Sequence, residues 1–93
     1  MDTVKFITEP GRIWLPGEDG KALAEVTFPL DTRGIAQIDH TFVDESLRGQ
    51  GIAGQLLEAL AVHLKEKGLK AVPVCSYAVS WFQKHPDQQD LLA

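Results

Sequence analysis

The stretch Asp39-His40-Thr41-Phe42-Val43-Asp44-Glu45-Ser46-Leu47-Arg48-Gly49-Gln50-Gly51-Ile52-Ala53-Gly54-Gln55-Leu56-Leu57 changes its apolar period from that of a strand to that of a helix. Residues 35–43 read as the longest strand, and the polar run from Asp44 ends it. Beyond the glycines, Ile52, Leu56, Leu57, Leu60 and Leu64 recur at helical spacing and leave the charged residues elsewhere. Gly68 is placed to close that helix with a left-handed cap. Residues 69–74 then form a short apolar strand broken only by Pro73. Strand, helix and strand in this order predict a right-handed parallel crossover.

Toward the N-terminus the pattern is different. Ala22, Ala24, Val26 and Phe28 share one face of a strand, with Leu23, Glu25 and Thr27 on the other. Residues 4–8 and 12–15 are further short β-like runs, separated by the turns Pro10-Gly11, Pro16-Gly17 and Asp31-Thr32-Arg33-Gly34. Short turns between consecutive strands predict an antiparallel meander. After Cys75, Ser76 is expected to cap a second helix over residues 77–84, which stops before Pro86. The apolar pair Leu91-Leu92 is expected to dock the tail. The fold class is therefore α/β (α+β), an antiparallel meander joined to a β-α-β-α unit through a mixed central sheet.

At 93 residues the chain has room for one domain, spanning residues 1–93. Its apolar fraction (44%) and charged fraction (24%) are those of an ordinary globular protein. A net charge of -4 with scattered basic residues argues against nucleic acid, whose phosphates need clustered cations. Lys65, Lys67 and Lys70 sit at a helix end, where cations complement the dipole. A lone cysteine, Cys75, suits a reducing compartment. The first ten residues show no basic segment followed by an apolar core, and no run approaches the ~18 apolar residues of a membrane span. The expectation is a cytoplasmic protein without membrane or nucleic-acid partners, a monomer or weak homodimer.

Gly49-Gln50-Gly51-Ile52-Ala53-Gly54 matches the dinucleotide pattern G-x-G-x-x-G. The match lacks the acid that should follow on the next strand to hold a ribose, and three antiparallel segments precede it. No Gly-Lys-Ser/Thr is present for a triphosphate loop. What the loop retains is the physics of anion binding. Glycines admit close backbone approach, the first N–H groups of a helix point outward, and Arg48 adds a fixed positive charge. Glycines in a helix's first turn cost roughly 1 kcal/mol each, so ligand binding is a better account of them than relief of crowding.

Here the sequence resembles a family. Arg48, Gly51 and Ala53 occupy the specified places of the coenzyme A motif of the GNAT superfamily of acetyltransferases, Arg/Gln-x-x-Gly-x-Gly/Ala. His40-Thr41-Phe42-Val43, Val72-Pro73-Val74-Cys75 and His85-Pro86 are similar to a short subfamily of about 90–100 residues with Pro-x-Cys at the end of the last strand. The resemblance implies a GNAT-like fold, acetyl-coenzyme A as co-substrate without a metal, and acetyl transfer to an amine acceptor. It implies that Arg48, Gly49, Gln50, Gly51, Ile52, Ala53 and Gly54 hold the pyrophosphate, and that the pantetheine arm lies along Thr41, Phe42 and Val43. That arm would enter a splay between this strand and the one ending at Cys75. Full-size members carry N-terminal helices that help bind the acceptor, for which this chain has no room between its first two strands.

Acyl transfer to an amine needs a deprotonated nucleophile, a polarised carbonyl and a protonated leaving thiolate. Many superfamily members use a Tyr in the last helix for that proton, at a position held here by Phe82. Tyr77 is the available substitute, but it comes five residues earlier and is expected to point elsewhere. Cys75 is the candidate nucleophile, because a thiol beside a helix N-terminus is the more easily ionised and accepts acyl groups by exchange. The alternative for Cys75 is a small buried hydrophobe. An imidazole titrates near pH ~6.5, which makes His40 the candidate general base, or else a hydrogen-bonded structural residue. His63 is expected to be solvated, His85 to cap a helix end, and Trp81 and Phe82 to be core. No pair of histidines has metal-ligand spacing. A non-catalytic acyl-CoA-binding or sensor module is the alternative function, favoured by Phe82.

Overall fold

The computed structural model describes residues 5–93. These form β1 (Ile7–Glu9), β2 (Arg12–Pro16), β3 (Ala22–Thr27), β4 (Ala36–Ile38), β5 (His40–Val43), a 3-10 turn (Glu45–Leu47), α1 (Ile52–Lys67), β6 (Ala71–Pro73), α2 (Ser76–Gln83) and a 3-10 segment (Pro86–Leu91). The expected first strand at residues 4–8 begins outside the described residues and is seen at Ile7–Glu9. The first three strands and β5 make an antiparallel sheet in the order β1-β2-β3-β5, and β4 pairs with β6 in parallel. Among the described residues no helix is long and apolar enough to cross a membrane.

The expected single strand over residues 35–43 is divided. Leu30 bridges Ala36, Pro29 O accepts from Gln37 N, and Thr27 O accepts from Asp39 N, but the Cα partner of Thr27 is His40. One extra residue, Asp39, has therefore entered this side of the pair, and the register moves by one. Such a bulge bends the strand and changes which residues face the core. Ala36 and Ile38 point inward before it, Thr41 and Val43 after it.

Helix α1 buries Ile52, Leu56, Leu57, Leu60, Ala61 and Leu64 against Ile13, Ala24 and Val26 of the sheet. Full burial of each leucine contributes roughly 1.5–3 kcal/mol before entropy is counted. The helix ends as its sequence predicts, with Gly68 donating to Leu64 O and Lys65 O and with Lys65 and Lys67 in the last turn. In α2, Trp81 and Phe82 are buried as expected and meet edge to face, with ring centroids 5.0 Å apart. His85 closes that helix, its Nδ1 2.7 Å from Trp81 O and its ring stacked on Trp81. The tail docks: Leu91 is buried, Leu92 bridges Ala71, and Ala93 N donates to Ala71 O.

Candidate active site

The bulge determines where the sheet opens. Ile38 O accepts from both Val74 N and Cys75 N, and beyond it β5 pairs with β3 alone. The other edge of β5 is therefore exposed inside the molecule. Asp44 N donates to Leu23 O in the register that pairs His40 with Thr27, so alternate residues His40 and Phe42 bond toward β3. Thr41 and Val43 turn their backbone N–H and C=O groups into the splay. Across it lies Cys75, whose Sγ is 3.4 Å from Thr41 Oγ1.

At the wide end of the splay the chain turns into α1. Asp44 caps the 3-10 turn through its carboxylate, which accepts from Ser46 N at 3.0 Å and Ser46 Oγ at 2.6 Å. Those two bonds, the side-chain one first, hold the Asp44 pKa below its ordinary value, aided by the nearby Arg48 charge. Gly49 and Gly51 then take φ of 84° and 74°, left-handed values that a residue with a Cβ enters only at a cost. The first backbone bond of the helix runs from Gln55 N to Gly51 O. Among the described residues the six N–H groups of residues 49–54 donate to no protein acceptor. Arg48 is exposed beside them and makes no ion pair among the described residues.

A cavity of about 170 Å3 runs along this corner, walled by Val43, Arg48, Gly49, Gly51, Ile52, Ala53 and Gly54, together with Leu47 and Tyr77. Thr41 and Phe42 lie further along β5, and Gln50 is exposed with its amide toward Ser46 O at 3.5 Å. Leu47 is the residue sequence reasoning missed. Tyr77 lines the glycine-loop end of this cavity. Its hydroxyl lies 3.8 Å from where a Cβ on Gly54 would be, and burial raises its pKa above the ordinary value. A Gly inside the first turn of α1, with an aromatic in the first turn of α2, was the available signal.

Cys75, not Ser76, is the cap residue of α2. It is extended (φ −73°, ψ 150°), while Ser76 opens the helix and neither side chain makes a capping bond. Cys75 is partly buried and packs against the core, so it keeps both a contact with the interior and an opening to the splay. His40 stands on the opposite face of β5 from Thr41, exposed, beside Thr27 of the neighbouring strand. His63 is partly exposed, and one side of its ring packs on Phe28 with centroids 5.5 Å apart.

A sheet that parts beside a helix start rich in free N–H groups is a frame for a long, phosphate-bearing substrate. A family model for GCN5-related N-acetyl-transferase matches residues 12–91, and the chain belongs to that family. Its members are N-acetyltransferases that use acetyl-coenzyme A as co-substrate. A GCN5-like protein from Staphylococcus aureus is similar over the whole chain, covering 91% of its own length, with 30% identity and a TM-score of 0.79. A ribosomal-protein-alanine N-acetyltransferase from Brucella melitensis is 26% identical over 80% of this chain, with a TM-score of 0.57. This chain spans 62% of that enzyme's length. Glucosamine-6-phosphate N-acetyltransferase from Arabidopsis thaliana, 23% identical over 80% of this chain and 57% of its own, shares the fold at a TM-score of 0.53. No curated protein matches the chain in sequence.

Proposed function

We propose that this protein transfers the acetyl group of acetyl-coenzyme A to an amine through Cys75. The observation that carries the reading is the run of six unbonded backbone N–H groups at residues 49–54, continuous with an open strand edge that leads to a thiol. The pyrophosphate is held by Gly49, Gln50, Gly51, Ile52, Ala53 and Gly54 with Arg48 beside it. The pantetheine arm runs past Val43 and Phe42, bonding to the edge groups of Thr41 and Val43, and Tyr77 closes over it. A single free thiol suits the cytoplasm.

Cys75 Sγ attacks the thioester carbonyl, a new S–C bond forms, and the bond to the coenzyme A sulfur breaks with its electron pair leaving on that sulfur. The positive end of α2 lies where negative charge resides on Sγ. The Tyr77 hydroxyl, protonated at neutral pH like any phenol, supplies a donor beside the glycine loop. In the second half a neutral amine attacks the acetyl-cysteine, the N–C bond forms, Sγ leaves as thiolate, and the surplus amine proton passes to water, His40 lying on the other face of β5. Phe82 is buried and has no hydroxyl to contribute.

Intact-mass spectrometry after mixing with acetyl-coenzyme A is the test. An adduct of about 42 Da, one acetyl group, removable by hydroxylamine, is the expected outcome. Cys75→Ser should lose the adduct and still bind coenzyme A. Full amine acetylation by Cys75→Ser would establish direct transfer without a cysteine intermediate. Binding without transfer in the wild type would establish an acyl-CoA-binding module instead.

A further inference from the structure

A second and larger cavity, about 1030 Å3, lies at the opposite end of α1 from the glycine loop, and the chemistry above does not use it. That volume is at the upper end for sites that enclose small molecules. The Pro10-Gly11 turn, the chain leaving β3 and the last turns of α1 build its walls. Its surface is mainly apolar, with Pro10, Leu30 and Leu69 around it, and Leu30 is left 53% exposed at the rim. The His63 ring, fixed on Phe28, adds a flat aromatic wall.

Charge decides what fits. Two carboxylates, Asp39 and Glu9, face the cavity from the sheet, and Lys67 faces it from the last turn of α1. Glu9 lies 3.6 Å from the Arg12 guanidinium. Asp39 has only a neutral partner, the Thr27 hydroxyl, which donates to Oδ1 at 2.5 Å and leaves Oδ2 unengaged among the described residues. Asp39 is also the bulge residue at which the splay begins, two residues before Thr41, or roughly 7 Å along a strand. The cavity therefore adjoins the point of the sheet where the splay begins.

We propose that this cavity is the acceptor pocket and that it takes a primary amine with an apolar body of aromatic size. The ammonium sits on Asp39, and the body lies between Leu30, His63 and Leu69. The acceptor role rests on the acetyl-transfer reading; amine binding in the cavity does not.

The test begins without acetyl-coenzyme A. 2-Phenylethylamine, 2-phenylethanol and 3-phenylpropionate are titrated into the protein and followed by NMR. The amine is expected to shift Leu30, His63 and Leu69, with the alcohol at least tenfold weaker and the acid weaker still. Asp39→Asn should weaken amine binding about tenfold, the scale of one charge-assisted hydrogen bond. Leu30→Arg, at a position 53% exposed and outside the core, should weaken it similarly by repulsion at the rim. Neither variant should alter the shifts that coenzyme A causes at residues 48–54. Equal binding of amine and alcohol, or no shift in the cavity, overturns the proposal. With acetyl-coenzyme A added, Asp39→Asn should raise KM for the amine and leave KM for acetyl-coenzyme A unchanged. Amine bound in the cavity of a chain that acetylates only other amines overturns the acceptor role. Amine bound with no acetyl transfer to anything supports the site and overturns the enzyme reading.

Discussion

Residues 36–38 and 40–43 are two halves of one passage through the sheet, and they live in different surroundings. Ala36 and Ile38 are fully buried, with β6 on one side and hydrogen bonds to the chain after β3 on the other. His40 and Phe42 are exposed, and their strand is paired on one side only. One inserted residue, Asp39, separates the halves. An unpaired edge is usually a hazard for a sheet. Here it is four residues long, lies inside the molecule, and turns its free groups toward a thiol. The lower half supplies stability and the upper half supplies a site.

The largest expected effect tests that division directly. Ile38→Ala removes a fully buried side chain beneath α1 and should destabilise the protein by about 2–5 kcal/mol. Phe42→Ala removes a larger group that is 38% exposed, and should cost about 1 kcal/mol or less in spite of its size. Urea denaturation of both variants measures the contrast. Similar losses would mean that the upper half is as integral to the core as the lower.

Gly51→Val moves the test to the loop. Nothing crowds a Cβ at Gly51, so the cost comes from its φ of 74°. Forcing a β-branched residue into that region costs about 1–3 kcal/mol, which the chain avoids by turning the loop away from its ligand-ready shape. Coenzyme A affinity should fall roughly five- to 150-fold in calorimetry, with Tm changed by only a few degrees. A large loss of stability with normal affinity would make the glycine a folding residue.

Much of this was readable in the sequence because the signals were local. The stripe of α1 repeats at 3.6 residues over four turns, the cap at Gly68 follows it, and glycines in a helix start are costly unless used. Cys75 could be placed from the end of its strand. The bulge could not. Asp39-His40 does interrupt the alternation, which passes from Ala36 and Ile38 to Thr41 and Val43, but exposed Phe42 preserves the original phase and conceals the shift. Register is set by two neighbours at once, and one strand's own pattern does not report it. The neighbours of Tyr77 and His63 were not legible for a related reason. What each faces depends on where α2 and the end of β3 come to lie against α1, a tertiary outcome. The cavity beside Asp39 is lined from four separate segments and has no motif.

Arg48→Ala should have a smaller effect than the glycine replacement. Arg48 is exposed and reaches the same ligand from the side, so its loss removes one charge-assisted contact of about 1.5 kcal/mol, close to tenfold in affinity. The deficit should shrink as salt is raised from 0.05 to about 0.5 M, because the exposed charge is screened over a Debye length that contracts to a few ångströms. The Gly51→Val deficit should not, since backbone strain is independent of ionic strength. Titrations at the two salt concentrations separate the charged contribution from the backbone one.

The smallest effect concerns the turn that leads from β5 into the loop. Asp44 is partly exposed, and its pKa is lowered by the Ser46 hydroxyl and N–H and then by Arg48. A depressed folded-state pKa stabilises the folded form above the ordinary carboxylate value near 3.8. That contribution is lost as pH falls through the lower, folded-state value. From neutral pH down to about 5 the amide shifts of Ser46 and residues 49–54 should therefore stay constant, and they should move together only below the usual aspartate range. Asp44→Asn should abolish that acid step, because no titrating group remains in the cap. Coenzyme A affinity at neutral pH should drop by less than about threefold, the scale of an exposed electrostatic contact. A loop that titrates in step with Asp44 is held in place by its cap. A loop whose shifts ignore both acid and substitution is positioned by the buried side chain of Ile52 alone, and the open half of the strand would then owe its ordering to the core beneath it.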